Sequence, residues 1–412
     1  MESTSSHVDT LIIGAGQAGL AMSYCLSQQG RPHLILEQAA RVANAWRHGR
    51  WDSFAMNTPN WSVRLPGAEY QGDDPDGFME RDEIVTYFER YAEKLEVPIR
   101  CGVRVTSVER TGNGYRIETD HGRYSATNVV IATGRFQRPG IPSFSANLPP
   151  KNMQCHSSQY RSPAALPSGA VLVVGSADSG CQIAEELSQS GRLVYLSTGV
   201  APRFPRRYRG RDAMWWAAKL FGPQTVDQLP SPKAKFAPNP TVSGKDGGHT
   251  LNLHQFARDG IVLLGNSRGA CDGTIALAPD LIENLAAADK AETEFVTAVD
   301  AYIVQNGLDA PEERLSELRD GYASKQILEL DLESTGITCV VWATGYTFDF
   351  SLVKLPVFDE DGYPVQRRGV TDYPGLYFVG LRWLHTFASG LIAGVGEDAA
   401  HIARHIQDDG QP

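Results

Sequence analysis

No stretch of this 412-residue chain approaches the ~20 uninterrupted apolar residues that a helix needs to cross a bilayer. Met1 to Asp9 are polar and lack the apolar centre of a signal peptide, so the expected address is cytoplasmic, with no membrane partner. Cysteine is sparse: Cys25, Cys101, Cys155, Cys181, Cys271 and Cys339 contain no Cys-x-x-Cys pair. That spacing speaks against a zinc site, a disulfide framework or a redox-active dithiol, and leaves reduced core thiols as the expectation. Positive charge is also in deficit. A net charge of -10 repels a phosphate backbone, so nucleic acid is not an expected partner.

What is present is length and turn-forming residues. A chain of this size exceeds what one core supports, so two or three interleaved domains are expected. Val8 to Ile13 is an apolar run ending at Gly14-Ala15-Gly16-Gln17-Ala18-Gly19, after which Leu20 to Leu26 continues with helical spacing. A second apolar run, Pro32 to Leu36, ends at Glu37, completing a βαβ unit. Arg81 to Leu95 has the pattern of an amphipathic helix, with Asp82 and Glu83 near its start. Three alternating strands are expected near 99 to 108, 115 to 119 and 123 to 131, the last running into Ala132-Thr133-Gly134.

After the proline-rich stretch from Pro139 to Pro167, expected to cross between domains, the opening pattern repeats. Val171 to Val174 reads as a strand, Gly175-Ser176-Ala177-Asp178-Ser179-Gly180 as a turn, Cys181 to Ser190 as a helix and Leu193 to Leu196 as the next strand. A long helix is expected from Pro279 to Gln305. Cys339 to Trp342 then enters Ala343-Thr344-Gly345, an echo of the earlier Ala-Thr-Gly turn, and the chain closes with Gly375 to Gly380 and a helix near 394 to 407. The fold class expected is α/β: two Rossmann-like dinucleotide-binding domains, the second inserted into the first. The boundaries are 1–165 and 326–412 for the first domain and 166–325 for the second.

The motifs carry the chemistry of dinucleotides. A pyrophosphate must approach backbone N–H groups at a helix start, and glycine lets it come close. Gly14, Gly16 and Gly19, with Gln17 inside the turn, meet that need, and Glu37 stands where an acid binds a ribose hydroxyl. In the second copy Ala177 replaces the middle glycine, between Gly175, Ser176, Ser179 and Gly180. No carboxylate ends its second strand; Arg203, Arg206, Arg207, Arg209 and Arg211 follow instead, which favours the 2′-phosphate of NADPH over NADH, with a solvated basic loop as the other reading. Two such sites fit a flavin reduced by a nicotinamide.

These residues resemble the class B flavin monooxygenases, which include flavin-containing monooxygenases, YUCCA-like enzymes and Baeyer-Villiger enzymes, over nearly the whole chain. The resemblance rests on the Gly14 turn, Lys151 to Tyr160, the Gly175 turn and Ala343-Thr344-Gly345-Tyr346. The second of these is similar to the fingerprint Phe-x-Gly-x-x-x-His-x-x-x-Trp/Phe, with His156 and Tyr160 in place but Pro150 and Asn152 where Phe and Gly are expected. The resemblance implies that NADPH reduces FAD, that dioxygen adds to give a flavin C4a-(hydro)peroxide, and that one oxygen atom passes to a small organic substrate.

It also implies site roles. Asn57, in Asn57-Thr58, resembles an asparagine near flavin and nicotinamide, a catalytic amide able to donate to a peroxide oxygen; a turn-former before Pro59 is the plainer alternative. Trp46 resembles a tryptophan bordering FAD, or is a core residue. Thr133, Gly134, Thr344 and Gly345 resemble crossovers between domains, and Gly380 a turn beside the flavin ring. His156 is expected to act on conformation rather than as a proton donor. Trp383, His385, Thr386 and Phe387 are candidates for facing the substrate cavity or for packing. The aromatic stretch from Arg203 to Phe236 reads equally as a cavity lid or a homodimer contact. A flavin oxidase or reductase without oxygen transfer, and a non-enzymatic redox sensor, remain the alternatives to a monooxygenase.

Overall fold

The computed structural model describes residues 6–409 apart from Val97 and Asn113. Two parallel sheets organise the chain. In the first, the strands lie in the order Ile99–Cys101, His33–Glu37, Ser6–Ile13, Gly122–Ile131, all parallel. Gly122–Ile131 is long enough to serve two partners on its other edge: its first half pairs antiparallel with Gly114–Thr119, while Val129 to Ile131 pair in parallel with the late strand Leu376–Phe378. The chain end therefore returns to the first domain. The closing helix Val395–Asp409 packs on the opening helix Gln17–Gln28.

The second sheet is wholly parallel, in the order Met153–His156, Ile337–Trp342, Ala170–Val174, Val194–Ser197, Val262–Leu264. Every residue of Ala170–Val174 is buried, the uniform burial of a parallel strand covered on both faces. Two of these strands lie outside the 166–325 range expected for the second domain. Apolar register explains it: Cys155 and His156 are buried and seated beside Val341 and Trp342, which are themselves fully buried. The segment expected near 99 to 108 is likewise two strands, Ile99–Cys101 in the parallel sheet and Val105–Thr111 in the meander.

Local chemistry places the helices as the periodicity predicts. Arg81–Leu95 begins at a capping box in which Glu80 and Glu83 satisfy each other's backbone N–H groups. One apolar cluster joins the two domains, running from Leu20, Met22 and Leu26 through Trp51, Phe54 and Tyr160 to Val173, Leu187 and Leu196. Full burial of each leucine contributes on the order of 1.5–3 kcal/mol, so the junction is held by core packing. All six cysteines are free thiols, and Cys101 and Cys271 are exposed, which corrects the expectation that all are core residues. No helix among the described residues is long and apolar enough to cross a membrane.

Candidate active site

The two glycine turns are structural copies. Gly14 donates its N–H to Leu36 O at 2.8 Å, and Gly175 donates to Ser197 O at 2.9 Å. Both adopt φ of +107°, reserved for glycine, and a Cβ on either would meet a crossover carbonyl: Ala132 O at 2.7 Å for Gly14, Ala343 O at 2.5 Å for Gly175. The structure thus brings Thr133-Gly134 against the first turn and Thr344-Gly345 against the second. A side chain on Gly19 or Gly180 would collide with the carbonyl of its own turn, so helix and strand pack closely only because both are glycine.

The copies differ at the middle position. A Cβ on Gly16 would meet nothing within 4 Å, so the first cradle is open above bare backbone at the start of Gln17–Gln28. Ala177 occupies the same place before Asp178–Gln189 and already carries its methyl. Glu37 sits at the mouth of the first cradle, its two oxygens accepting the N–H groups of Ala15 and Ala39, each at 2.8 Å. At the corresponding strand end of the second copy, Ser197 donates its hydroxyl to Gly265 O at 2.9 Å, and no carboxylate takes Glu37's place.

Other expected site residues are distributed as follows. Gln17 Nε2 donates to Gly390 O at 2.8 Å, which ties the first turn to the closing segment rather than turning the amide into the cradle. Gly380, at φ +82°, lies against Ala18 on the cradle helix. Trp46 is half-buried, stacks on Phe88 at 6.3 Å and lies under the Arg50 guanidinium at 5.2 Å. The Ser176 hydroxyl is held at Gly199, and Ser179 is half-buried one residue into the helix. The Thr344 hydroxyl is buried and has no hydrogen-bond partner among the described residues.

The arginine group needs correction. Arg203 is 4% exposed, and its guanidinium is occupied by Glu292 at 2.6 and 3.0 Å and by Asp289 at 2.8 Å. Arg206 is 3% exposed, bound to Asp212 and stacked over Phe78 at 4.5 Å. Buried and paired, neither is free for a 2′-phosphate. Arg209 is paired with Asp300; Arg207 and Arg211 remain exposed.

The aromatic stretch is also reassigned in part. Trp216, 1% exposed, fills a small core with Phe204, Tyr208, Phe295 and Val299 rather than lining a cavity. Farther on, the stretch straps onto the first domain: Val226 N–H donates to His385 O at 2.7 Å, Lys235 pairs with Asp359 at 3.1 Å, and Ala237 O accepts from Arg382 at 3.0 Å.

His156 is fully buried, and burial holds its pKa below the usual histidine range. Its Nδ1 accepts the Ser158 N–H at 3.2 Å, so Nε2 carries the proton and donates to Gly345 O at 2.9 Å. A neutral ring with both nitrogens engaged ties the linker strand to the second crossover.

Asn57, the amide expected from the sequence, lies at the domain junction among partners that sequence reading missed. It is half-buried; its side-chain oxygen accepts from Gln182 Nε2 at 2.9 Å and its backbone oxygen from Arg206 Nη1 at 2.7 Å. Burial pushes the Asp178 carboxyl up to about 6, against the opposing pull of the Val242 N–H, Arg135, Asn57 and Arg206. Arg135 is drawn down to about 10 by burial and by the nearby Arg382 and Arg50 guanidiniums, and among the described residues it has no carboxylate in ion-pair contact. The i, i+4, i+8 spacing of Asp178, Gln182 and Glu186 was the available signal for a polar stripe on this helix.

Residues 11–209 match the family model of pyridine nucleotide-disulphide oxidoreductases. The uncharacterized oxidoreductase CzcO-like of Geobacillus kaustophilus is 35% identical over 403 residues, covering 97% of this chain and 98% of that protein. Indole-3-pyruvate monooxygenase YUCCA1 of Oryza sativa subsp. japonica is 31% identical over 200 residues, 47% of this chain and 49% of that protein. The chain belongs to the CzcO-like oxidoreductase family. It shares the fold of a flavin-containing monooxygenase from Stenotrophomonas maltophilia, with a TM-score of 0.69 at 20% identity over 98% of this chain and 100% of that one. Both chains are two-domain α/β proteins with two dinucleotide folds.

Proposed function

We propose that this family member is an NADPH-dependent FAD monooxygenase that inserts one oxygen atom of dioxygen into a small organic substrate. The observation that carries the reading is the pair of matching glycine cradles, with Asn57 held between their domains by Gln182 and Arg206. The open space over Gly16, with Glu37 beside it, fits the pyrophosphate and ribose of FAD; the Gly175 to Gly180 turn and the orphaned Thr344 hydroxyl fit a second dinucleotide. FAD, when bound, supplies hydride acceptance and activation of dioxygen.

The protein's own contribution is placement. Gly14, Gly16 and Gly19 present helix N–H groups to one pyrophosphate, and Gly175 and Gly180 do so for the other. Gly380 and Trp46 border the first cofactor, and the Asn57 amide offers a donor at the junction without being an acid. With Arg203 and Arg206 committed internally, the preference for NADPH rests on the absence of a ribose-binding carboxylate at Ser197 and on exposed Arg207. The methyl of Ala177 favours a second reading, an NAD(P)H-dependent flavin oxidase or reductase that transfers no oxygen, because it narrows the second cradle.

The test is NADPH oxidation under isotopically labelled dioxygen across a panel of sulfides, amines, ketones and aryl-pyruvates. One labelled oxygen in a product, with NADPH consumed in proportion, is expected. Hydrogen peroxide accounting for all NADPH with every compound would favour the oxidase reading.

A further inference from the structure

The helix Asp178–Gln189 turns Asp178, Gln182 and Glu186 toward the FAD-side domain, and each finds a partner there. Glu186 accepts from Ser53 Oγ at 2.6 Å and from Tyr160 Oη at 2.8 Å. Gln182 Nε2 donates to Asn57 Oδ1 at 2.9 Å and to Val242 O at 3.0 Å. Asp178 Oδ1 accepts the Val242 N–H at 3.0 Å, and the Asn57 side chain lies near enough to the same carboxylate to favour its charged form. An asparagine side chain has one acceptor oxygen and one donor nitrogen. Here the oxygen faces a donor and the nitrogen faces an acceptor, both supplied by one helix of the other domain. Reversing the amide would set oxygen against carboxylate and N–H against N–H, two repulsive contacts at once.

We propose that Asp178 and Gln182 are positioning residues that fix the direction of the Asn57 amide, committing one of its nitrogen-bound hydrogens to the nucleotide-binding domain and leaving the other for the flavin face. The inference rests on the monooxygenase reading for its consequence, but the clamp itself is a property of the protein alone. The groups facing Asp178 are Arg135 from the first crossover, Arg206 from the segment after the Val194–Ser197 strand, and Cys181 from its own helix. Burial opposes the charged form more strongly than the arginines favour it, which pushes the carboxyl facing Asn57 up to about 6.

The experiment is heteronuclear NMR of the holoenzyme labelled at asparagine side chains, the Asn57 signal being assigned by its loss in Asn57→Ser. The Asn57 amide pair is expected to shift with a midpoint near about pH 6, and that titration is expected to vanish in Asp178→Asn, which keeps an acceptor but loses the charge. In Gln182→Leu, hydrogen peroxide released per NADPH oxidised is expected to rise about 3- to 10-fold, the worth of one positioned hydrogen bond, with the KM for NADPH within about 2-fold. An amide signal that is flat across that range, or that still titrates in Asp178→Asn, overturns the proposal, as does, where the native protein transfers oxygen, unchanged peroxide release in Gln182→Leu. The spectrum reads the amide whether or not any substrate is oxygenated. A titrating Asn57 in a protein that never transfers oxygen would sink the monooxygenase reading and leave the clamp standing.

Discussion

The two halves of this chain build the same turn twice and then diverge at three points. Gly16 faces open space where Ala177 carries a methyl; Glu37 ends one second strand where Ser197 ends the other; and only the second helix sends polar side chains across to the opposite domain. The shared part is dictated by backbone geometry, because φ near +107° at Gly14 and Gly175 and the close crossover carbonyls tolerate no side chain. The divergent part is where ligand preference and communication between domains are written. A cradle is therefore a scaffold, and its specificity lies in the few positions that the scaffold leaves unconstrained.

The comparison breaks most visibly at the first cradle. Gly16→Val adds a side chain where the fold has room for it but a pyrophosphate does not, at an ordinary negative φ. Flavin affinity is expected to fall at least ~100-fold, giving colourless protein on purification while the flavin-free fold melts normally. The visible absorbance of purified protein checks this. Ala177→Val is expected to keep the colour but raise the KM for NADPH about 10- to 50-fold, and Ala177→Gly to lower it a few-fold, as initial rates would show.

The arginines sharpen the contrast between strand ends. Arg203→Ala strands Glu292 and leaves Asp289 to Tyr322 and His254, so chemical denaturation should reveal a loss of about 2–4 kcal/mol with NADPH affinity changed less than about 2-fold. The smallest effect concerns Asp178. Its folded pKa lies above that of the unfolded chain, so the native state binds the proton more tightly, and this term costs stability as pH rises from about 4 through 6. Asp178→Asn removes the charge: the variant is expected to gain ~1–3 kcal/mol on the native protein at about pH 8 and little at about pH 4. Urea titrations at the two pH values measure it.

Much of this organisation was legible in the chain because it is local. The glycine spacing, the buried strand before each turn and the repeated Ala-Thr-Gly segments lie within a few residues of one another, and the structure sets each crossover against its own turn. What escaped reading depends on distant partners. Arg203 and Arg206 look like solvated phosphate ligands until Glu292, Asp289 and Asp212 are seen to neutralise them. The strands Met153–His156 and Ile337–Trp342 join the second sheet from outside the inserted range, since parallel pairing ignores sequence separation. Asp178 reads as a turn residue until Asn57, 121 positions earlier in the chain, is found beside it.

Anaerobic titration of the purified yellow protein with NADPH tests the central claim of a two-cradle relay most directly. The account predicts that NADPH bleaches the flavin rapidly in native protein and only at much higher concentration in Ala177→Val, whose flavin content is unchanged. Flavin that stays oxidised under excess NADPH, or that is bleached equally well in Ala177→Val, would contradict it.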